Sequence, residues 1–224
     1  MGLVSRTMAI LLRIAAHLSL SEEVRSLHLA LRKLSSGYRD TLAGRLPAIL
    51  CQTLVAAEDH RFFGHSGVDL VAIARALWQF VARGEIQGAS TIEQQLVRTV
   101  RGRYERTLCR KVSEVLLAAT VGEVLSKPET GGIYLMVAHF GWRMQGVLPA
   151  CTILGLDLTS LPPSQAASLV ARLKYPQPPE CNPPWEARVS NRAQHILSLV
   201  SNGQGQLPGS FFGAQLDETV SALE

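Results

Sequence analysis

Apolar residues recur at helical spacing along most of this 224-residue chain. An amphipathic helix repeats its apolar positions every three or four residues, so each recurrence predicts one helix. The predicted helices lie at about 3–20, 22–34, 47–58, 69–82, 91–98, 107–125, 164–173 and 185–201. Because every strongly periodic segment is helical, the sequence predicts an all-α domain.

Local signals refine the ends of these helices. Gly37 is expected to break the chain after the second helix, and Pro47 suits the first turn of the third. Ser90 with Glu93 resembles a capping box, and Thr107 and Ser164 are plausible N-caps. The helix after Thr107 is predicted to bury a stripe formed by Leu108, Val112, Val115, Leu116 and Ala119.

Changes in polarity along the chain predict three segments. Residues 1–44 are predicted to form an amphipathic and basic helical segment, 45–201 the main domain, and 202–224 a loosely ordered tail. Arg13 and His17 interrupt the apolar stretch 3–20, and a membrane span needs about 20 mostly uncharged residues. This stretch is therefore expected either to lie in a membrane interface or to pack on the domain.

The amino-acid composition and net charge restrict the classes of function that this chain can have. Hydrophobic residues make up 47% and charged residues 18%, which is typical of a globular protein, and the net charge is +4. A basic surface attracts nucleic acid, anionic membranes or phosphorylated substrates, but no nucleic-acid motif accompanies it here. The four cysteines are widely spaced without paired histidines, which argues against a zinc site. We expect thiols, with a disulfide as the open alternative because the sequence does not give its pairing.

The candidate chemistry is concentrated between residues 58 and 114. Two carboxylates, Glu58 and Glu114, bracket a run of cations. Those cations are Arg98, Arg101, Arg103, Arg106, Arg110 and Lys111. One acid that works as a base, a second acid and cations between them suit chemistry at a sugar carbon with a phosphate leaving group. Glu58 precedes two phenylalanines, and desolvation there would raise its proton affinity.

Three motifs in this stretch resemble those of the peptidoglycan glycosyltransferases, glycosyltransferase family 51. The pattern E-D-x-x-F-x-x-H-x-G matches Glu58–Gly67, and G-x-S-T-I-x-Q-Q-L matches Gly88–Leu96. The pattern R-K-x-x-E matches Arg110–Glu114. The resemblance implies a lysozyme-like, two-lobed helical domain that polymerises a lipid II-type undecaprenyl-pyrophosphate disaccharide with inversion.

The resemblance also implies roles for individual residues. Glu58 would be the base that takes the acceptor proton, and Glu114 would orient the site. Arg98, Arg106 and Lys111 would hold the pyrophosphate. The implied substrate-binding residues are Asp59, Phe62, His65, Ser90, Thr91, Gln94, Gln95, Arg98, Arg106, Arg110 and Lys111.

The family also suggests the setting of the protein. No cofactor is required, although magnesium or manganese is compatible with the pyrophosphate. The expected partners are the lipid-linked substrate, a membrane surface and other cell-wall synthesis proteins. The expected location is peripheral on the bacterial inner membrane, with the catalytic domain on the periplasmic face.

The match loosens over residues 127–148, which leaves alternatives open. Met136 and Leu148 stand where the family often has Asn and Glu, and Arg98 and Thr99 replace Lys and Asn. A divergent member acting on another lipid-linked saccharide is the first alternative. A non-catalytic cell-wall scaffold is the second, and a hydrolase resembling lysozyme is the third.

Overall fold

The computed structural model describes residues 3–42, 45–84 and 88–208. Within these ranges the chain forms ten α-helices and one antiparallel pair of short strands, which confirms the all-α prediction. In chain order they are α1 (Leu3–Ser19), α2 (Ser21–Thr41), α3 (Ala48–Glu58), α4 (Leu70–Arg83), α5 (Ile92–Arg101), α6 (Leu108–Thr120), α7 (Lys127–Val137), β1 (His139–Gly141), β2 (Met144–Gln145), α8 (Val147–Leu154), α9 (Pro163–Lys174) and α10 (Pro183–Ser201).

The chain divides into two compact units, the number of lobes implied by the family resemblance. We call the first the N-unit; it comprises Met1–Leu34 and Arg61–Thr130. The second, the C-unit, comprises Ser35–His60 and Gly131–Glu224. Two of the three boundaries fall within α2 and α7, and the third lies after α3, between His60 and Arg61.

In the N-unit, α1 packs on α6. Arg13 Nε donates a hydrogen bond of 2.9 Å to the carbonyl oxygen of Ala119, and His17 Nε2 lies 3.0 Å from Glu123 Oε2. The residues on its outward face remain exposed, namely Ile10, Leu11, Ile14 and Leu18. The segment therefore packs on the domain, one of the two predicted alternatives, and still presents an apolar face.

Helix α4 begins and ends at local signals. The side chain of Asp69 accepts hydrogen bonds from the backbone of Val71 at 3.0 Å and Ala72 at 3.1 Å, which makes it the N-cap. Gly84, in the left-handed conformation, ends the helix. Five large apolar side chains of α4 stay exposed: Val71, Leu77, Trp78, Phe80 and Val81.

Helix α6 departs from the prediction at its end and along its stripe. Thr107 Oγ1 accepts a hydrogen bond from the Arg110 backbone at 3.2 Å, so the predicted N-cap is confirmed. The helix ends at Thr120 rather than near 125, and Leu108 and Val112 are 85% and 59% exposed. The buried stripe was wrong for these two residues, because the packing covers the C-terminal half of the helix.

Two other helix boundaries also differ from the prediction. Helix α2 continues through Gly37 to Thr41, since Tyr38 and Leu42 beyond the glycine are buried and outweigh its low helix propensity. Helix α9 starts at Pro163 with Pro162 at the N-cap position, so Ser164 lies inside the first turn and is not the cap.

In the C-unit, α3 packs against α9 and α10, and its fully buried leucines, Leu50 and Leu54, contribute to the core. Helix α10 is capped by Asn182, whose Oδ1 accepts from the Trp185 backbone at 3.0 Å. This packing fixes the end of α3, where Glu58 is the last helical residue.

Close packing explains the glycine at position 132, which the sequence pattern does not reveal. A Cβ at this position would lie 2.5 Å from the ring of Tyr38, so no larger residue fits. The Gly131–Gly132 pair weakens helix propensity, yet α7 runs through both. Tertiary packing against Tyr38 compensates for the low helix propensity of the two glycines.

All three predicted segments fall partly outside the described residues, namely at 1–2 and 43–44, at 85–87, and at 209–224 of the tail. Before that point, Gly205 is buried against Gln52 and Ala56. Among the described helices, none combines the length and the apolar character that a bilayer span requires.

The four cysteines are free thiols, as predicted. Burial raises the pKa of the Cys51 thiol to about 12 and also raises the pKa of Cys151. A thiol with a raised pKa stays protonated at neutral pH, and a neutral thiol is a poor nucleophile and metal ligand.

Candidate active site

Three residues of the first motif, Phe62, His65 and Gly67, are buried in the N-unit. A single 3-10 turn, Phe62–Gly64, follows α3, and the Phe62 and His65 side chains are buried. Their rings meet edge to face with centroids 6.4 Å apart. Arg61 Nε lies 3.0 Å from Asp69 Oδ2, which ties the motif to the start of α4.

Gly67 joins the three motifs within the N-unit. Its φ is +93°, and a Cβ would lie 2.1 Å from the carbonyl oxygen of Ala118 in α6. Only glycine adopts this conformation at such close approach. Thr91 Oγ1, from the second motif, donates a hydrogen bond of 2.7 Å to the Gly67 carbonyl oxygen. The first and second motifs are therefore held against the helix that carries the third.

Thr91, rather than Ser90, caps α5. Its Oγ1 accepts a hydrogen bond from the Gln94 backbone at 3.2 Å, so the predicted capping box of Ser90 with Glu93 is wrong. The side chains of Ser90 and Glu93 instead contact residues of other helices. Ser90 accepts a hydrogen bond from Lys111, and Glu93 pairs with Lys127. These tertiary contacts outweigh the local pattern.

Lys111 is the centre of a polar cluster between α5 and α6. Its Nζ donates to Ser90 Oγ at 3.0 Å, to Gln94 Oε1 at 2.7 Å and to Glu114 Oε1 at 2.7 Å. Arg110 Nη1 pairs with the other oxygen of Glu114. We call Ser90, Gln94, Arg110, Lys111 and Glu114 the Lys111 cluster. The sequence predicted that Lys111 and Glu114 share a helix face, and the structure brings them together.

The Lys111 cluster is buried at Glu114 and Gln94 and reaches solvent at Lys111. The Glu114 side chain is 3% exposed, whereas that of Lys111 is 39% exposed. Gln94 is 1% exposed, and its Nε2 has no hydrogen-bond partner within the described ranges. A buried N–H donor without an acceptor destabilises the protein unless a ligand or a water molecule accepts its hydrogen bond. The cluster has two cations and one carboxylate, so its net charge suits anionic oxygens.

The other predicted cations are not part of the cluster. Arg98 is half-buried on α5, and Arg106 is exposed in the loop before α6. Within the described ranges, no hydrogen bond or ion pair involves either side chain. Residues 99–101, predicted as loop, form the last turn of α5, while Gln95 on the same helix is buried.

One buried ion pair escaped the sequence analysis. Lys127 Nζ pairs with Glu93 Oε1 and lies 4.2 Å from the centroid of the Phe62 ring. The Glu93 side chain is 3% exposed. The pair joins the first motif, the second motif and the start of α7 within the N-unit. Lys127 stood in the loosened family pattern, but no local signal in the sequence identified its partners.

In the C-unit, Glu58 ends α3 and Asp59 follows as a buried residue. Arg192 of α10 places Nη2 3.5 Å from Glu58 Oε1 and donates a 2.7 Å hydrogen bond to the carbonyl oxygen of Ala57. The Glu58 side chain is 14% exposed. Sequence reasoning predicted an acid in an apolar setting and missed its cationic neighbour.

A sequence model described as Transglycosylase matches residues 30–201, more than half of the chain. This chain belongs to the transglycosylase family. Its membership confirms the predicted resemblance and makes the protein a glycosyltransferase. All three motifs lie within the matched range.

Curated relatives of this transglycosylase include penicillin-binding protein 1A of Escherichia coli (strain K12), with 37% identity over 181 residues. That alignment covers 80% of this chain and 21% of the relative. Penicillin-binding protein 1A of Haemophilus influenzae is 36% identical over 179 residues, covering 79% of this chain and 21% of the relative. The transglycosylase described here thus spans about a fifth of the length of these relatives.

Proposed function

We propose that this transglycosylase polymerises a lipid II-type substrate, an undecaprenyl-pyrophosphate disaccharide, into peptidoglycan strands with inversion at the sugar carbon. The observation that carries the proposal is the Lys111 cluster. It combines two cations with a buried carboxylate and a buried amide donor that lacks a partner. Such a set favours a ligand whose oxygens gain negative charge during the reaction.

Glu58 supplies the base in this proposal. The 4-hydroxyl oxygen of the acceptor sugar attacks C1 of the donor while Glu58 takes the hydroxyl proton. The bond between C1 and the pyrophosphate oxygen breaks, and undecaprenyl pyrophosphate leaves. This parallels an inverting glycosidase in which a sugar hydroxyl replaces water, so an α-linked donor gives a β-linked product.

The Lys111 cluster stabilises the leaving group. Lys111 and Arg110 offer charged donors, and the Gln94 amide offers a neutral one. Glu114 holds both cations in place through its two oxygens. We assign neutralisation of the pyrophosphate charge to these side chains, with magnesium or manganese as an optional addition. Asp59, His65 and Gln95 shape the sugar sites in this proposal.

Arg106 and Arg103 provide a matched test of the cations in the loop before α6. Both are exposed on the loop before α6, but Arg103 Nε lies 3.5 Å from Glu105 Oε1. A hydrogen bond from its own backbone lowers the pKa of Glu105, and the Arg103 guanidinium adds to this effect, so this acid stays charged. Arg106 has no such partner within the described ranges, and its guanidinium is available to the pyrophosphate.

Arg106→Ala is expected to lower the initial polymerisation rate at least about tenfold, since a charged hydrogen bond contributes roughly 1.5–3 kcal/mol. Arg103→Ala is expected to change the rate less than twofold. Both rates are measured at one ionic strength. Similar losses in the two variants would mean that the loop acts only as a general basic surface, and the assignment of Arg106 would fail.

A lipid-linked substrate requires the enzyme to reach a bilayer surface, and we propose a peripheral location on the periplasmic face of the inner membrane. The exposed apolar face of α1 and Trp78 of α4 are the proposed contacts. Leu11 and Leu18 are 54% and 82% exposed, one heptad apart on that face. An interfacial helix binds through such a face.

The double variant Leu11→Gln and Leu18→Gln is expected to lower vesicle binding at least about tenfold, because burying one leucine contributes roughly 1.5–3 kcal/mol. The measurement is flotation with vesicles that contain anionic lipid. Ile153→Gln, at an exposed residue of the C-unit, is the matched control and is expected to float like the wild type. Equal flotation of all three proteins would refute the role of α1.

The substrate proposal is tested by incubating the chain with labelled lipid II and, separately, with another lipid-linked saccharide. Polymer from lipid II supports the proposal. Product only from the other saccharide supports a divergent member, which the replacements Met136 and Leu148 favour. Binding without product supports a scaffold, and cleavage of finished glycan supports a hydrolase.

A further inference from the structure

Arg192 lies outside the three motifs and contacts the proposed base, Glu58. Its Nη2 bonds the Ala57 carbonyl oxygen at 2.7 Å and lies 3.5 Å from Glu58 Oε1. The two charged side chains are only 16% and 14% exposed, so solvent screens the pair weakly.

The position of Glu58 in α3 makes a cation there useful. Glu58 is the last residue of the helix, where the last four carbonyl groups lack intrahelical donors. The negative end of the helix dipole disfavours a carboxylate at this place and favours a cation. One guanidinium nitrogen of Arg192 compensates for both effects, since it caps the Ala57 carbonyl and faces the carboxylate.

The backbone that carries Arg192 is fixed by the core of the C-unit. Helix α10 packs on α3 and α9. Val189 and Ile196 are buried, and they lie three residues before and four residues after Arg192 on the same helix face. The guanidinium is therefore delivered to the end of α3 from a rigid support.

We propose that Arg192 is a positioning residue for the base: it orients the Glu58 carboxylate for proton transfer. This inference rests on the proposed function, which names Glu58 as the base. It extends that function to a residue 134 positions away in the sequence. Arg192 acts through Glu58, so its loss lowers turnover and leaves substrate binding largely intact.

The test compares Arg192→Met, Arg192→Lys and Arg188→Met with the wild type, using kcat, KM and the melting temperature. Arg192→Met is expected to lower kcat about 10- to 100-fold, the range for loss of a charged hydrogen bond, with KM within twofold. Arg192→Lys keeps the charge and is expected to restore part of kcat. Arg188 lies one turn earlier, over the ring of Tyr175, and its variant is expected to match the wild type.

The outcomes separate this inference from the function on which it rests. An inactive wild-type chain overturns the proposed function and the positioning role with it. An active wild type with normal kcat in Arg192→Met overturns the positioning role alone. If both Arg192 variants melt like the wild type and lose kcat equally, charge at this position does not act on the base, and the inference is wrong. If Arg192→Met fails to fold, the kcat of a folded Arg192→Lys decides: a partial loss supports the role, and a wild-type value overturns it.

Discussion

Glu58→Gln is expected to lower polymerisation about 10²–10⁴-fold, the usual contribution of general base catalysis. The fold is expected to survive. Glutamine has the same shape, and its amide oxygen still accepts from Arg192 Nη2, which lies 3.5 Å from Glu58 Oε1. The amide nitrogen, however, takes up no proton at neutral pH. The measurement is the initial rate on lipid II together with the melting temperature.

A matched control removes the same charge elsewhere in the C-unit. Glu180 is exposed in the connector before α10, and Glu180→Gln is expected to keep the full rate. Near-normal turnover in Glu58→Gln, with an unchanged melting temperature, would remove Glu58 from the mechanism. A lower melting temperature in Glu58→Gln would instead show that the end of α3 depends on the charge.

Lys127→Met is expected to destabilise the fold by about 3–5 kcal/mol, the usual cost of leaving one partner of a buried ion pair alone. The Glu93 side chain is 3% exposed and pairs with Lys127. The variant also loses the contact of Lys127 with the Phe62 ring, 4.2 Å from its centroid. For a chain of this size the melting temperature should fall by about 6–20 °C.

Two further variants test whether the unpaired buried charge causes this loss of stability. The double variant Glu93→Met and Lys127→Met removes both charges and is expected to regain much of the stability. Lys174→Met is the exposed control and should melt like the wild type. A melting temperature of Lys127→Met close to that of the wild type would contradict the structural role of the pair.

The helices of this chain were predictable because their apolar spacing is a local property. Helix α4, predicted at about 69–82, spans Leu70–Arg83, and α6 began after Thr107, as the pattern indicated. Periodicity does not say what covers a helix, so Leu108 and Val112 were expected to be buried and are exposed. The predicted capping box of Ser90 with Glu93 was wrong for a similar reason, since Lys111 contacts Ser90 from another helix.

The candidate site was predictable only where its partners lie on one helix or within one motif. Lys111 and Glu114 are three residues apart, and their contact follows from helix geometry. Lys127 and Arg192 meet their partners across 34 and 134 residues. Such contacts depend on tertiary packing, which periodicity and spacing do not encode.

The central claim is that the chain joins lipid-linked disaccharides into a β-linked glycan. The most direct measurement follows labelled lipid II in vesicles with the purified wild-type chain, and then treats the product with a muramidase that cuts β-linked strands. We expect labelled polymer to form with time and to disappear on digestion. Unchanged lipid II, from folded protein bound to the vesicles, would contradict the central claim.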